Sequence, residues 1–502
     1  MSEHTAPQTS ETTDTPSGSD TSLPNSVSKP NSSGFLIVST VLVGGALQGY
    51  ANGTPHAIVA AFILFVVGAF ITSLAFRKGR AELRGFRLSF SVSVLAGGLV
   101  QCYSLHAFGA PQDFVDAVGF FNAIFEDPPY YSWQEINELW IDGAEVSRGA
   151  PLAIAIWQWL YHVRLLLGLD FGMYFGVMVN AMFIGWTTSI TVRIAREIFG
   201  DDAWRLNRVG TLSAFCGLLI LFGALLLRDC FTTFLNAVVL LAVVCWLKHP
   251  NLRRSILGGV LTILAIAAMS YLRSRTLVLF GAVWFLGFSC WFISKKFDVS
   301  RVLISVVVLV LAAASFPYLI SYLDISKQLH DKYSEQYGGH MGENSQDGSL
   351  AMSLIVNQPI PIRVVLGSAS MTIRPIPLWA GLEDGASEYH WIKGYNGFYQ
   401  IIVMPLFLAG LLLVAKQYLG SRQSTTPLFY VAVYFVVMVA SVVLTSMEQR
   451  HVAQFMPAFM ILAAVPDTRD KKDRKVVNQM GYLWYCLVGL VHLAWAIAAS
   501  GR

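Results

Sequence analysis

Pro151-Leu-Ala-Ile-Ala-Ile-Trp157-Gln-Trp159-Leu-Tyr161-His162-Val-Arg164 is the stretch whose placement decides the topology of this chain. It is apolar enough to cross a bilayer, but it carries aromatic residues, His162 and Arg164 along its length. Only one residue separates its end at 168 from the next apolar segment at 170. A helix lying at the headgroup level fits that composition better than a span. Working outward, the polar loop from Gly109 to Pro151 precedes it, and apolar segments flank both.

A spanning helix needs about 20 mostly apolar residues. Thirteen segments qualify: 35–52, 55–76, 88–108, 170–191, 209–227, 230–247, 256–272, 276–294, 302–320, 396–415, 427–446, 451–465 and 480–499. With 151–168 held at the interface, the basic residues sort to one side. The loops 77–87, 192–208, 248–255, 295–301, 416–426 and 466–479 hold 22 of the 35 Lys and Arg. The positive-inside rule then places the N-terminus in the cytoplasm and the C-terminus outside. Were 151–168 a span, the later basic loops would face away from Arg77–Arg87, against that rule.

Composition agrees. The chain has 502 residues, 55% apolar and 13% charged, with mean hydropathy +0.55; soluble domains carry about 25% charged residues. The expected fold is therefore an all-α polytopic membrane protein with about 13 transmembrane helices. Residues 1–34, rich in Ser, Thr, Pro and Asp, form a disordered cytoplasmic tail. They lack the basic and apolar regions of a signal peptide, so the first apolar segment is expected to be a retained anchor. Residues 35–500 form a single transmembrane domain, with outer loops at 109–169 and 321–395 that contain interfacial helices. Six cysteines without CxxC or Cys/His spacing exclude a disulfide framework and a zinc site. Nothing points to nucleic acid.

The acids sort opposite to the bases: 19 of 31 Asp and Glu lie on the outer side. The first outer loop supplies Asp113 and Asp116. Tight outer turns present Leu227-Arg228-Asp229, then Tyr271-Leu-Arg273-Ser-Arg275, then Met447-Glu448-Gln449-Arg450-His451. Any single Arg there could be a snorkelling interfacial anchor. Four Arg against the positive-inside bias point instead to an anionic ligand, because the guanidinium fork makes paired hydrogen bonds to phosphate. Arg148, Arg363 and Arg374 are supporting candidates, with Asp229 and His451. Glycosyl transfer needs a base for the acceptor hydroxyl and a stabiliser for the leaving phosphate. Asp116 or Asp113 suits the first role, and Arg228, Arg273, Arg275 or Arg450 the second. At i, i+3 spacing the two aspartates can share a helical face, and they are also where a divalent cation would bind; no other cofactor is indicated. The glycine-rich segment 332–349 suits a loop that orders over substrate.

Asp113, Asp116, Pro151, Asn180, Arg193-Ile-Ala-Arg196-Glu-Ile-Phe199-Gly200, Leu227-Arg228-Asp229 and Arg450 through Pro457 together carry a resemblance. Over Asp113–Asp229 and Gly348–Pro457 the chain resembles the C-fold class of integral-membrane glycosyltransferases, the bacterial relatives of the protein O-mannosyltransferases. The resemblance implies a first-loop carboxylate as catalytic base and a polyprenyl-phosphate sugar as donor. Family members often have adjacent acids and a Lys-Pro-Pro; this chain has Asp-x-x-Asp and Arg148-Gly-Ala-Pro151. The outer Arg and long loops also resemble O-antigen and exopolysaccharide polymerases. The expected function is transfer of a sugar from a lipid-linked donor to a glycan or lipid acceptor of the envelope, at the outer face of a bacterial inner membrane. Repeat-unit polymerase is the alternative, and transporter or lipid flippase the second.

Overall fold

A computed structural model describes residues 32–77, 79–126, 134–136, 150–166, 168–169, 172, 174–249, 252–273, 277–294, 358–373, 379, 386–420, 422–445 and 449–500. Among them there are helices and no strands. This is the expected outcome when every backbone polar group must be satisfied without water.

The helices, in chain order, are α1 (Ser32–Asn52), α2 (Ala57–Ala75), α3 (Arg80–Phe108), α4 (Val115–Glu126), α5 (Pro151–Leu166), α6 (Gly176–Phe199), α7 (Ala203–Ala214), α8 (Gly217–Ala224) and α9 (Asp229–Lys248). They continue as α10 (Leu252–Arg273), α11 (Leu277–Ser294), α12 (Ile360–Ile373), α13 (Glu388–Gly420), α14 (Arg422–Thr445), α15 (Gln449–Val452), α16 (Met456–Ala463) and α17 (Lys471–Ser500). Nine described helices are long and apolar enough to cross a membrane, ten if the bent pair α7–α8 is one span. The protein is a polytopic helical membrane protein.

The expected spans map onto these helices with instructive differences. Residues 170–191 are not one helix: α6 starts only at Gly176, after turns in which Gly168 and Gly172 take positive φ, and runs on to Phe199. Helices α3, α13 and α17 extend beyond their apolar windows, because charged residues at a helix end remain helical while leaving the hydrocarbon layer. The expected span 209–227 is broken: α7 and α8 meet at a 53° bend. The expected span 451–465 is α15, a 3-10 turn (Ala453–Phe455) and α16 in succession. The span 302–320 lies outside the described residues. Helix α5 has 16 residues, about 24 Å at 1.5 Å per residue, short of the roughly 30 Å hydrocarbon layer.

The break between α7 and α8 is clamped from α13. Tyr399 and Tyr395 donate their hydroxyls to the carbonyls of Leu212 (2.8 Å) and Phe215 (3.0 Å). Asn396 Oδ1 accepts the Leu218 N–H at 3.2 Å. Gly217 permits this approach, since a Cβ there would stand 2.5 Å from the Asn396 Cβ.

Charged side chains gather at two opposite ends of the bundle. Helix α9 has Asp229 at its first residue and Lys248 at its last, about 30 Å apart over 20 residues. At the Lys248 end, Glu197 pairs with Lys248 (3.4 Å) and Arg193 (2.6 Å). The fully buried Glu82 pairs with Arg196 at 2.8 Å. Trp204 lies between the guanidiniums of Arg208 and Arg469, 4.9 and 4.6 Å from its ring. The Asp229 end carries α4, α5 and the loop between α3 and α4.

Candidate functional site

The site is built at the Asp229 end, and its first support is a stretch of chain that is neither helix nor strand. Leu225, Leu226 and Leu227 are fully buried, and Leu225 is extended at φ −113°, ψ 155°. Such a segment must find hydrogen-bond partners elsewhere. Asn180, on α6, donates its amide to the carbonyls of Leu225 (2.9 Å) and Leu227 (3.0 Å). Its own oxygen accepts the Trp157 indole N–H of α5 at 3.0 Å. Gln112 accepts the Leu226 N–H (3.2 Å) and donates to the Ala224 carbonyl (3.3 Å). One buried extended segment thereby ties together α5, α6 and the loop before α4, and delivers Arg228 and Asp229 at its end.

Around that end the candidate residues converge. Arg273, the last residue of α10, donates Nη1 to Asp229 Oδ1 at 2.9 Å. Its Nη2 donates to His451 Nε2 at 2.8 Å. A guanidinium has no acceptor, so His451 offers an unprotonated Nε2 in this arrangement. Next to His451, Arg450 forms an ion pair with Asp116, in the first turn of α4. Asp229 lies in the field of Arg273, Arg450 and Arg228 together. The guanidinium of Arg228 stands 5.8 Å over the Phe120 ring of α4. Burial first, then the neighbouring Arg273 and Arg450, push the Arg228 pKa down to about 10. It remains a cation at neutral pH.

Asp113 is placed differently from Asp116. Helix α4 begins at Val115, so Asp113 precedes it and the expected shared helical face does not form. Both the Asp113 and Phe114 N–H groups are taken by Glu388 Oε1, each at 2.7 Å. Burial, together with the Glu388 and Asp113 carboxylates, raises the Tyr174 phenol to about 12. Asp116 therefore faces the arginines, while Asp113 faces Tyr174 and Glu388. Among the described residues no group of three or more His, Cys, Asp or Glu comes together as a metal site.

Of the other expected residues, Arg363 lies on α12, which packs against α13 and α14. The end of that helix reaches the site indirectly, where Gln449 donates to the Met371 carbonyl at 3.1 Å. Arg148, Arg275 and Arg374 lie outside the described residues, as do Glu448 and the glycine-rich segment 332–349. Sequence reasoning missed Glu388 and Gln112 altogether and gave Asn180 no role. Glu388 was one of many outer acids, and only its position in the first turn of a long span marks it out.

Comparison of the chain with protein-family models, with curated proteins and with solved structures finds no match.

Proposed function

We propose that this protein is a membrane glycosyltransferase that moves a sugar from a polyprenyl-phosphate carrier to an envelope acceptor at the outer face. The observation that carries the proposal is the meeting of Asp116, Asp229, Arg228, Arg273 and Arg450 at one end of the bundle. These are three guanidiniums against two carboxylates, drawn from four separate parts of the chain. Gathering an excess of cations beside a half-exposed acid suits a ligand that brings its own negative charge.

In this mechanism Asp116, 43% exposed at its side chain, takes the acceptor hydroxyl proton as the anomeric C–O bond of the donor breaks. The ion pair with Arg450 holds Asp116 near the donor. Arg228 and Arg273 receive the negative charge that develops on the departing phosphate. His451, held by Arg273, orients that guanidinium. Helix α5 lies at the membrane surface and closes the first loop against the lipid, in the thirteen-span arrangement with the C-terminus outside. The membrane is a bacterial inner membrane, and the acceptor is a glycan or lipid.

Discontinuous helices also occur in transporters. Here the groups freed at the α7–α8 break are taken by Tyr395, Asn396 and Tyr399, and the described charge clusters sit at the bundle ends, which favours chemistry at a surface. Repeat-unit polymerisation uses the same face and the same lipid phosphate. A deletion strain separates the two. Transfer predicts accumulation of unmodified lipid-linked acceptor, and polymerisation predicts single unpolymerised units. Complementation by Asp116→Asn should leave the defect uncorrected; full correction by that variant and by Arg228→Ala would overturn the enzyme reading. A reporter fused after Arg502 should lie outside.

A further inference from the structure

Glu388 opens α13, 275 residues from Asp113 in sequence, and its carboxylate is fully buried. Its Oε1 accepts two consecutive backbone N–H groups, from Asp113 and Phe114. Its Oε2 has no partner among the described residues. A carboxyl oxygen receiving two short N–H bonds is a directional clamp. Because α4 starts just after Phe114, the negative charge also stands at that helix's positive end. The neighbouring residues repeat the contact: Phe114 stacks on Tyr389 at 4.4 Å, with the rings 15° apart. From the other side, Tyr103 of α3 donates its hydroxyl to the Ala386 carbonyl at 2.8 Å, which fixes the approach to α13. A carboxylate buried at such cost needs a purpose, and its bonds go to backbone that leads directly into Asp116.

We propose that Glu388 is a positioning residue for the first-loop acid: it pins the start of α4, and with it the place from which Asp116 meets Arg450. Glu388 does not contact the arginines that would hold the donor. It therefore governs where the base stands and leaves phosphate binding to Arg228, Arg273 and Arg450. The clamp itself is independent of the proposed activity, which enters only through the glycan readout.

The test uses the full chain in lipid nanodiscs. Amide hydrogen exchange over residues 113–118 should accelerate at least tenfold in Glu388→Ala, and less than threefold in Glu388→Gln, which keeps an acceptor oxygen in place. Exchange over residues 190–206, at the far end of the bundle, should not change. Undecaprenyl phosphate, measured by native mass spectrometry, should bind Glu388→Ala within threefold of the parent. Glycan output in the complemented deletion strain should fall at least tenfold for Glu388→Ala and be rescued by Glu388→Gln. Should Glu388→Ala not yield folded protein, Glu388→Asp, which draws the oxygen back by one methylene, carries the same expectation. Unchanged exchange over 113–118, or lipid binding that falls in step with output, would overturn the proposal. Local acceleration combined with normal output from Asp116→Asn would leave the clamp standing and remove the glycosyl-transfer reading.

Discussion

The two charged ends of the bundle use the same residue types to different purposes. At the Lys248 end several pairs are local: Arg193 with Glu197, four residues apart, Arg196 with Asp201, and Arg205 with Asp202. They cap and brace the ends of α6 and α7, and Asp202 also accepts the Trp204 and Arg205 N–H groups at the start of α7. At the Asp229 end the pairs join residues far apart in sequence. Asp116 meets Arg450 across 334 residues, and Arg273 meets His451 across 178. Local pairs follow almost inevitably from helix geometry. Distant ones require the whole fold to bring them together, and the Lys248 end has some as well, Glu82 with Arg196 across 114 residues. What sets the Asp229 end apart is the gathering of three guanidiniums around two carboxylates, and that is why we propose it as the site.

Substitutions test the contrast. The largest effect is expected for Asp116→Asn, which removes the base and should lower glycan output by about two to four orders of magnitude. Arg228→Ala should weaken undecaprenyl phosphate binding by about 10- to 100-fold, the worth of a charge-assisted hydrogen bond. Arg228→Lys should restore only part of it, because the planar fork is lost. Asn180→Ala removes the amide from two buried carbonyls. It should cost about 2 kcal/mol of stability, read as a lower thermal midpoint in detergent. Arg469→Ala, at the opposite end, should leave both glycan output and the thermal midpoint unchanged, since the Arg469 side chain is itself exposed and its ion pairs are screened. A large loss there would erase the distinction between the ends.

Much of the helical fold was legible because hydropathy is a property of single segments. The convergence of Arg228, Arg273 and Arg450 was legible for a related reason: each stands at a tight turn, and turns on one side of a membrane lie at similar depth. The supporting polar residues were not. Gln112, Asn180 and Glu388 act on backbone carbonyls and amides of other segments, and no periodicity records which backbone groups lack partners. The break in α7–α8 was hidden for the opposite reason, since Phe215 and Cys216 are as apolar as a continuous span would require. Asp113 and Asp116 have helical spacing, yet Glu388 draws the Asp113 backbone out ahead of the helix.

The buried leucine segment, Leu225–Leu227, has a further consequence. Its backbone is held by neutral amides, Asn180 and Gln112, while the charged side chains stand beyond its end. Scaffold and electrostatic field are thus assigned to separate residues. The framework can be loosened without altering the charge of the site, and the charge can be edited without loosening the framework. In engineering terms the two are independent dials: an anionic ligand of different charge calls for turning only one.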